Sequence, residues 1–245
     1  MPRKYRNPPV AEAACEFRFE PGAPWDLTIP GLIYEKMQDT FPIKKQGATL
    51  DAMMTSGPEG VQQQIVSAPR VAFWRQDEKA LVQLGKNILS VHNREPYTGW
   101  EDFLPLIRRG FLTYRDVAAP EGFRRLGLRY INRIEIASKS IELADYFRFR
   151  PEVAESLPQD FGSFAVGIEI PYQGGRDRLR LQLSSIEGKP GTVTSMLDID
   201  YFLDQAKQVA LDSAFEWVEL AHTHVEEVFE GCITDRLREI FGEVD

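Results

Sequence analysis

Phe123-Arg124-Arg125-Leu126-Gly127-Leu128-Arg129-Tyr130-Ile131-Asn132-Arg133-Ile134-Glu135-Ile136-Ala137 alternates apolar and polar residues along most of its length, the pattern of a strand with one face in a core. Leu126, Leu128, Tyr130, Asn132, Ile134 and Ile136 share the inward face, and Arg125, Arg129, Ile131, Arg133 and Glu135 share the other. A shorter run of the same kind, Ala14-Cys15-Glu16-Phe17-Arg18-Phe19, stands near the N-terminus. After each run the chain offers a short helical piece, several β-rich runs and a long amphipathic helix. The two long helices open alike: Thr98-Gly99-Trp100-Glu101 and Ser213-Ala214-Phe215-Glu216-Trp217 both carry a capping-box spacing beside a tryptophan. The pattern therefore predicts an α+β protein made by internal duplication of a β-α-β(3–4)-α unit, with halves 1–120 and 121–245 meeting at Pro120 in one pseudo-symmetric body.

Within the first half, Ile29-Pro30 starts a helix through Leu32, Ile33, Met37 and Phe41. Residues 44–60 read as a loop. A β-meander follows as Val61 to Ala68, Arg70 to Arg75, Lys79 to Leu84 and Ile88 to His92, then a helix from Thr98 to Tyr114. In the second half a helical piece spans Ile141 to Phe147. Strands are expected near Phe164 to Tyr172, Arg178 to Ser185 and Val193 to Tyr201, before a long helix broken near Gly231. This order closes antiparallel sheets with helices on one face and resembles the TATA-binding-protein-like and helix-grip architectures. Joined edge to edge, the halves would give a saddle with a polar concave surface. Fold analogy carries no function.

Three stretches, Asn7-Pro8-Pro9-Val10-Ala11-Glu12-Ala13-Ala14-Cys15-Glu16-Phe17-Arg18-Phe19, Arg129-Tyr130-Ile131-Asn132-Arg133-Ile134, and Ala221-His222 with Val228-Phe229-Glu230 and Ile233-Thr234-Asp235, resemble a sporadically distributed family of uncharacterised bacterial and archaeal proteins of about this length. The resemblance spans the chain and implies no reaction, cofactor or catalytic residue. The patchy distribution implies an accessory role in mobile or antiviral-defence gene neighbourhoods.

Composition sets the outer bounds. The 245 residues are 43% apolar and 27% charged, enough for a sizeable core. No run of about 18 apolar residues would span a bilayer, and Met1-Pro2-Arg3-Lys4-Tyr5-Arg6 lacks a secretory apolar stretch, so a cytoplasmic protein without membrane contact is expected. Cys15 and Cys232 read as buried small hydrophobes. The net charge of −8 disfavours a general nucleic-acid partner. Residues 1–150 are nearly balanced, however, and the acidic excess lies in the C-terminal helical region, which leaves room for a local basic surface.

That surface is the arginine set Arg125, Arg129 and Arg133 with Arg178 and Arg180, which would share the sheet face away from the helices and could grip carboxylate or phosphate. The competing reading pairs them across strands with Glu135 and Glu169. His222 and Glu226 have the i, i+4 spacing of a helix-face ion pair, and a metal site there would need a third ligand, for which only His92 offers a nitrogen outside this helix. No cofactor and no metal are expected. Asp198 and Asp200 share one strand face and read as solvent-facing spacers. Ser184, Ser185, Thr194 and Ser195 lie in strands without a nucleophile elbow, and Gly174-Gly175 falls in a hairpin rather than a phosphate loop. Trp25, Trp74, Tyr97 and Tyr172 lie near loops or strand ends, while Trp100 and Trp217 anchor their helices. The reading that follows is a non-enzymatic module with a protein partner. Nucleic-acid or anionic-ligand binding through the arginines and an unrecognised enzyme are the alternatives.

Overall fold

In a computed structural model of the chain the run around Leu126 is an interior strand, next to the central one, of a nine-stranded antiparallel sheet. The described residues are 3–20, 22, 25–57, 60–159 and 162–244, with side chains outside 48–68. In chain order they form β1 (Lys4–Tyr5), β2 (Val10–Glu20), α1 (Ile29–Met37), β3 (Ile43–Gly57), β4 (Gly60–Trp74), β5 (Ala80–Gly85), β6 (Ile88–Arg94), α2 (Trp100–Ala118), β7 (Gly122–Ile136), β8 (Ala165–Tyr172), β9 (Asp177–Ile186), β10 (Val193–Leu203), α3 (Ala214–Cys232), α4 (Asp235–Phe241) and β11 (Glu243–Val244). The fold is α+β. The main sheet runs β3-β4-β5-β6-β2-β7-β10-β9-β8, and β1 pairs with β11.

Outward from the β2–β7 junction, each half places its opening strand first, its last strand next, and then works backward. The strand order is thus alike on the two sides. The intervening elements are not: where the first half has α1, the second has a 3-10 turn at Leu143–Asp145 and irregular chain, so the helix expected over Ile141 to Phe147 shrinks to three residues. Asp145 and Tyr146 carbonyls there accept the Thr234 hydroxyl, which ties this segment to the start of α4.

The helices cover one face. α2 lies on β6, α3 on β7 and β10, and α1 packs on α2. Gly110 lets α2 approach closely, because a Cβ there would fall 2.9 Å from Val91 Cγ2. The inward face of β7 is as expected: Leu126, Leu128, Tyr130, Asn132, Ile134 and Ile136 are buried. A register shift between Arg18 and Phe19 opposite β7 turns Phe123 inward as well, where it joins Phe17, Phe19 and Phe111. Each such ring removed from water contributes about 1.5–3 kcal/mol.

Several expectations need correction. Of residues 44–60, expected as a loop, Lys44 to Gly57 are strand and pair with β4 in continuous register, and 58–59 lie outside the described residues. The runs Val61 to Ala68 and Arg70 to Arg75 are one strand through Pro69. β5 pairs with β4 only from Val71 onward, so Pro69 stands where one side of β4 is open and its missing N–H costs no bond to β5. Neither capping box forms. The N-cap of α2 is Gly99, while Thr98 Oγ1 accepts a bond from Asn93 Nδ2 at 3.3 Å, and Ser213 makes no side-chain cap. The long C-terminal helix breaks at Ile233-Thr234, just after Gly231.

Candidate functional site

The five predicted arginines do share the sheet face opposite the helices, but β7 and β9 are not adjacent. β10 lies between them, and its register sets Asp200 opposite both Arg129 and Arg180, with Glu169 of β8 beyond. Charges therefore alternate in sign across four strands. Arg129 grips Asp198 in bidentate fashion, Nε to Oδ1 at 2.8 Å and Nη2 to Oδ2 at 2.5 Å. Arg125 bridges Glu16 at 3.0 Å and Asp200 at 2.9 Å. Its guanidinium lies over Gly127, where a Cβ would fall 2.5 Å from Nη1, and 4.7 Å above the Phe202 ring. Arg180 binds Glu169 at 2.7 Å, Arg178 binds Asp204 at 2.7 Å, and Arg133 binds Glu135 at 3.0 Å.

The competing cross-strand reading named Glu169 correctly; Glu135 does hold Arg133, but along β7 rather than across strands, and Glu16, Asp198, Asp200 and Asp204 were missed. Asp198 and Asp200 are not spacers. Their two-residue alternation in β10 matches that of Arg178 and Arg180 in β9, which was the available signal. Burial pushes the Asp200 carboxyl above the ordinary aspartate range although Arg125 and Arg129 oppose it, and the Asp198 hydrogen bond raises Arg129.

Toward the first half the same face carries His92, whose Nδ1 meets Glu12 Oε1 at 2.6 Å and whose Nε2 meets Ser90 Oγ at 2.8 Å. The His92 bond holds the Glu12 carboxyl below the usual glutamate range. A carboxylate lowered in the folded state stabilises above its unfolded pKa, about 4.3, and that stabilisation is lost as pH falls through the folded value. His92→Phe is therefore expected to flatten the acid side of the stability profile below about pH 4.5, measured as urea midpoint against pH. An unchanged acid limb would show that the pair is not coupled to folding.

His222 lies on the helical side, stacked on Trp100 with ring centroids 3.9 Å apart, its Nε2 3.3 Å from Glu226. Its Nδ1 is 3.5 Å from the Tyr130 hydroxyl, which lies 2.9 Å from that of Tyr97. His92 is across the sheet from this group. Among the described residues no three His, Cys, Asp or Glu side chains are placed to hold a metal ion. The stretch from Arg129 to Ile134 thus serves both faces: Tyr130 meets His222, Asn132 donates to the Leu197 carbonyl at 3.1 Å, and Arg129 and Arg133 face outward.

Pro8-Pro9 borders a cleft of about 450 Å³ into which Arg133, Glu135 and Lys189 also open. Of the loop aromatics, Trp74 lies under Lys45 and Arg94 on the open face, Trp25 stacks on Tyr114, and Tyr172 packs on Tyr201 and His224. No helix among the described residues is long and apolar enough to cross a membrane. No family model and no curated protein matches the chain.

Proposed function

We propose that the protein is a non-enzymatic interaction module whose open sheet face docks a protein partner, in the accessory role that the family resemblance suggests. One observation supports this above all. Each of the five arginines is already joined to a carboxylate of the same surface, so the face is a mosaic of both signs rather than a field of free cations. A mosaic fixes the register of a complementary protein surface. A phosphate backbone is gripped by cations that release counterions, and here those cations have competing partners.

The test uses Arg129 and Arg133. Arg133→Ala is expected to cost less than about 1 kcal/mol of stability, as for an exposed pair. Arg129→Ala is expected to cost about 1–3 kcal/mol, because it leaves Asp198 without its guanidinium. A protein captured from host lysate and then purified should bind the double variant at least about tenfold more weakly, a loss of roughly 1.4 kcal/mol. Equal binding by wild type and variant would remove the sheet face from the interaction.

A second reading, an anionic ligand or nucleic acid on the same arginines, is favoured by the guanidinium of Arg180, whose side chain is 55% exposed and so keeps donors toward solvent. Its mark would be affinity for a labelled oligonucleotide that falls steeply with salt.

A further inference from the structure

Among the described residues β8 is an edge of the sheet, bonded to β9 alone. The Phe164 carbonyl accepts the Ser185 N–H at 3.0 Å, and that pair continues the β8–β9 register. Backbone groups of an antiparallel strand point alternately to either side, so even-numbered residues from 164 face β9 and odd-numbered ones face outward. The outward set is the N–H and C=O of Ala165, Gly167 and Glu169 and the C=O of Pro171. All four residues are exposed. β8 carries neither lysine nor a bulge, and of the usual edge protections it has only Glu169 and, at its far end, Pro171.

The side chains of β8 are self-complementary. Val166, Ile168 and Ile170 lie on the helical face beside buried Leu183, Leu181 and Leu179, and Ile168 remains 44% exposed. On the open face Gly167 has no side chain, and a cleft of about 220 Å³ opens there with Glu169, Arg180 and Gln182 in its lining. We propose that β8 pairs antiparallel with β8 of a second copy about a two-fold axis through Ile168. This inference does not rest on the sheet-face reading above.

In that register Gly167 lies opposite the partner's Glu169, and the outward groups form about six backbone hydrogen bonds, Pro171 contributing only its carbonyl. The partner's Glu169 enters the Gly167 notch beside Arg180, where a single Glu169 of the same chain now faces both Arg178 and Arg180. Ile168 meets its own copy, and Val166 meets the partner's Ile170. Other registers do worse: centring on Glu169 sets two carboxylates face to face, centring on Gly167 moves Glu169 opposite Ala165, and a one-residue slip mismatches the backbone groups. The contact is isologous and closes at two chains.

Sedimentation equilibrium on the full chain should show a concentration-dependent dimer. Ile168→Lys sets two ammonium groups opposite one another and should weaken the dimer at least tenfold, with the far-UV spectrum unchanged because the site is half-exposed. Ile168→Cys should link two chains under oxidised glutathione, since a non-hydrogen-bonded antiparallel pair brings Cβ atoms to about disulfide distance; Cys15 and Cys232 are buried and do not compete. Glu169→Lys is a second variant expected to weaken association. A chain that stays monomeric to about 0.1 mM overturns the proposal, even if it takes up an extended segment of another protein. So does a dimer that survives Ile168→Lys, and a dimer that Ile168→Cys cannot link.

Discussion

Asp177→Ala is expected to lower the free energy of unfolding by about 3–5 kcal/mol, the loss seen when one partner of a buried charged network is removed. Asp177 opens β9 and is wholly buried. Its carboxylate accepts Arg176 Nη2 at 2.6 Å, the Tyr201 hydroxyl at 3.0 Å and Trp217 Nε1 at 3.1 Å. Three elements meet on this one side chain: the β8–β9 turn, β10 and the first turn of α3. Removing it strands an indole N–H and a phenol that have no water to turn to, and takes the carboxylate from the partly exposed Arg176 guanidinium. Burial, and then the neighbouring Asp177 charge, hold the Tyr201 hydroxyl in its protonated donor form. Asp177→Asn keeps the shape and one acceptor but turns an amide N–H₂ toward donors, so it should cost less, about 1–3 kcal/mol. Urea unfolding followed by tryptophan fluorescence and far-UV circular dichroism orders the two variants. A domain is stable by only about 5–15 kcal/mol, so the Ala variant should be visibly less stable at 37 °C. An Ala variant as stable as wild type would mean that solvent reaches this network.

The sequence shows β7 plainly because both of its neighbours are strands and only one of its faces is covered. That geometry forces the strict alternation of Leu126, Leu128 and Tyr130 with Arg125, Arg129 and Arg133. β3 was illegible for the opposite reason. Among the described residues it is an edge strand, and from Gly60 to Arg70 the β3–β4 ribbon has no third strand beside it, so its backbone pairing imposes no apolar period. The capping boxes misled because Thr98 has a better use: it accepts from Asn93 inside the turn and leaves Gly99, at φ 108°, to start α2. For the arginines, one-dimensional spacing assigns a face and no partner. Which carboxylates they meet depends on β10 lying between β7 and β9, a fact of strand order that the chain between residues 137 and 193 does not announce. The Asp177 network was hidden for the same reason, since Tyr201 and Trp217 lie 24 and 40 residues from Asp177.

Phe111→Ala tests how the two sides of the β2–β7 junction depend on each other. Phe111 projects from α2 into a cluster where its ring centroid lies 5.1 Å from Phe17 of β2, 5.8 Å from Phe123 of β7 and 5.4 Å from Phe215 of α3. One side chain therefore touches the opening strand of each half and the long helix of the second. Truncating it should cost about 3–5 kcal/mol through lost transfer and the cavity left behind. The loss should not be confined to residues before Pro120. Phe17 and Phe123 also meet each other, and β2 and β7 pair from Val10 to Glu20, so loosening the cluster loosens both sides in one transition. Fluorescence of Trp25, Trp74, Trp100 and Trp217 should fall together with far-UV ellipticity in wild type and variant alike. By the same argument residues 1–120 alone should not fold as a monomer, because β2 would expose the whole edge that β7 occupies and the cluster would lose Phe123 and Phe215. Two separated transitions, or a folded monomeric 1–120 fragment, would make the halves independent domains.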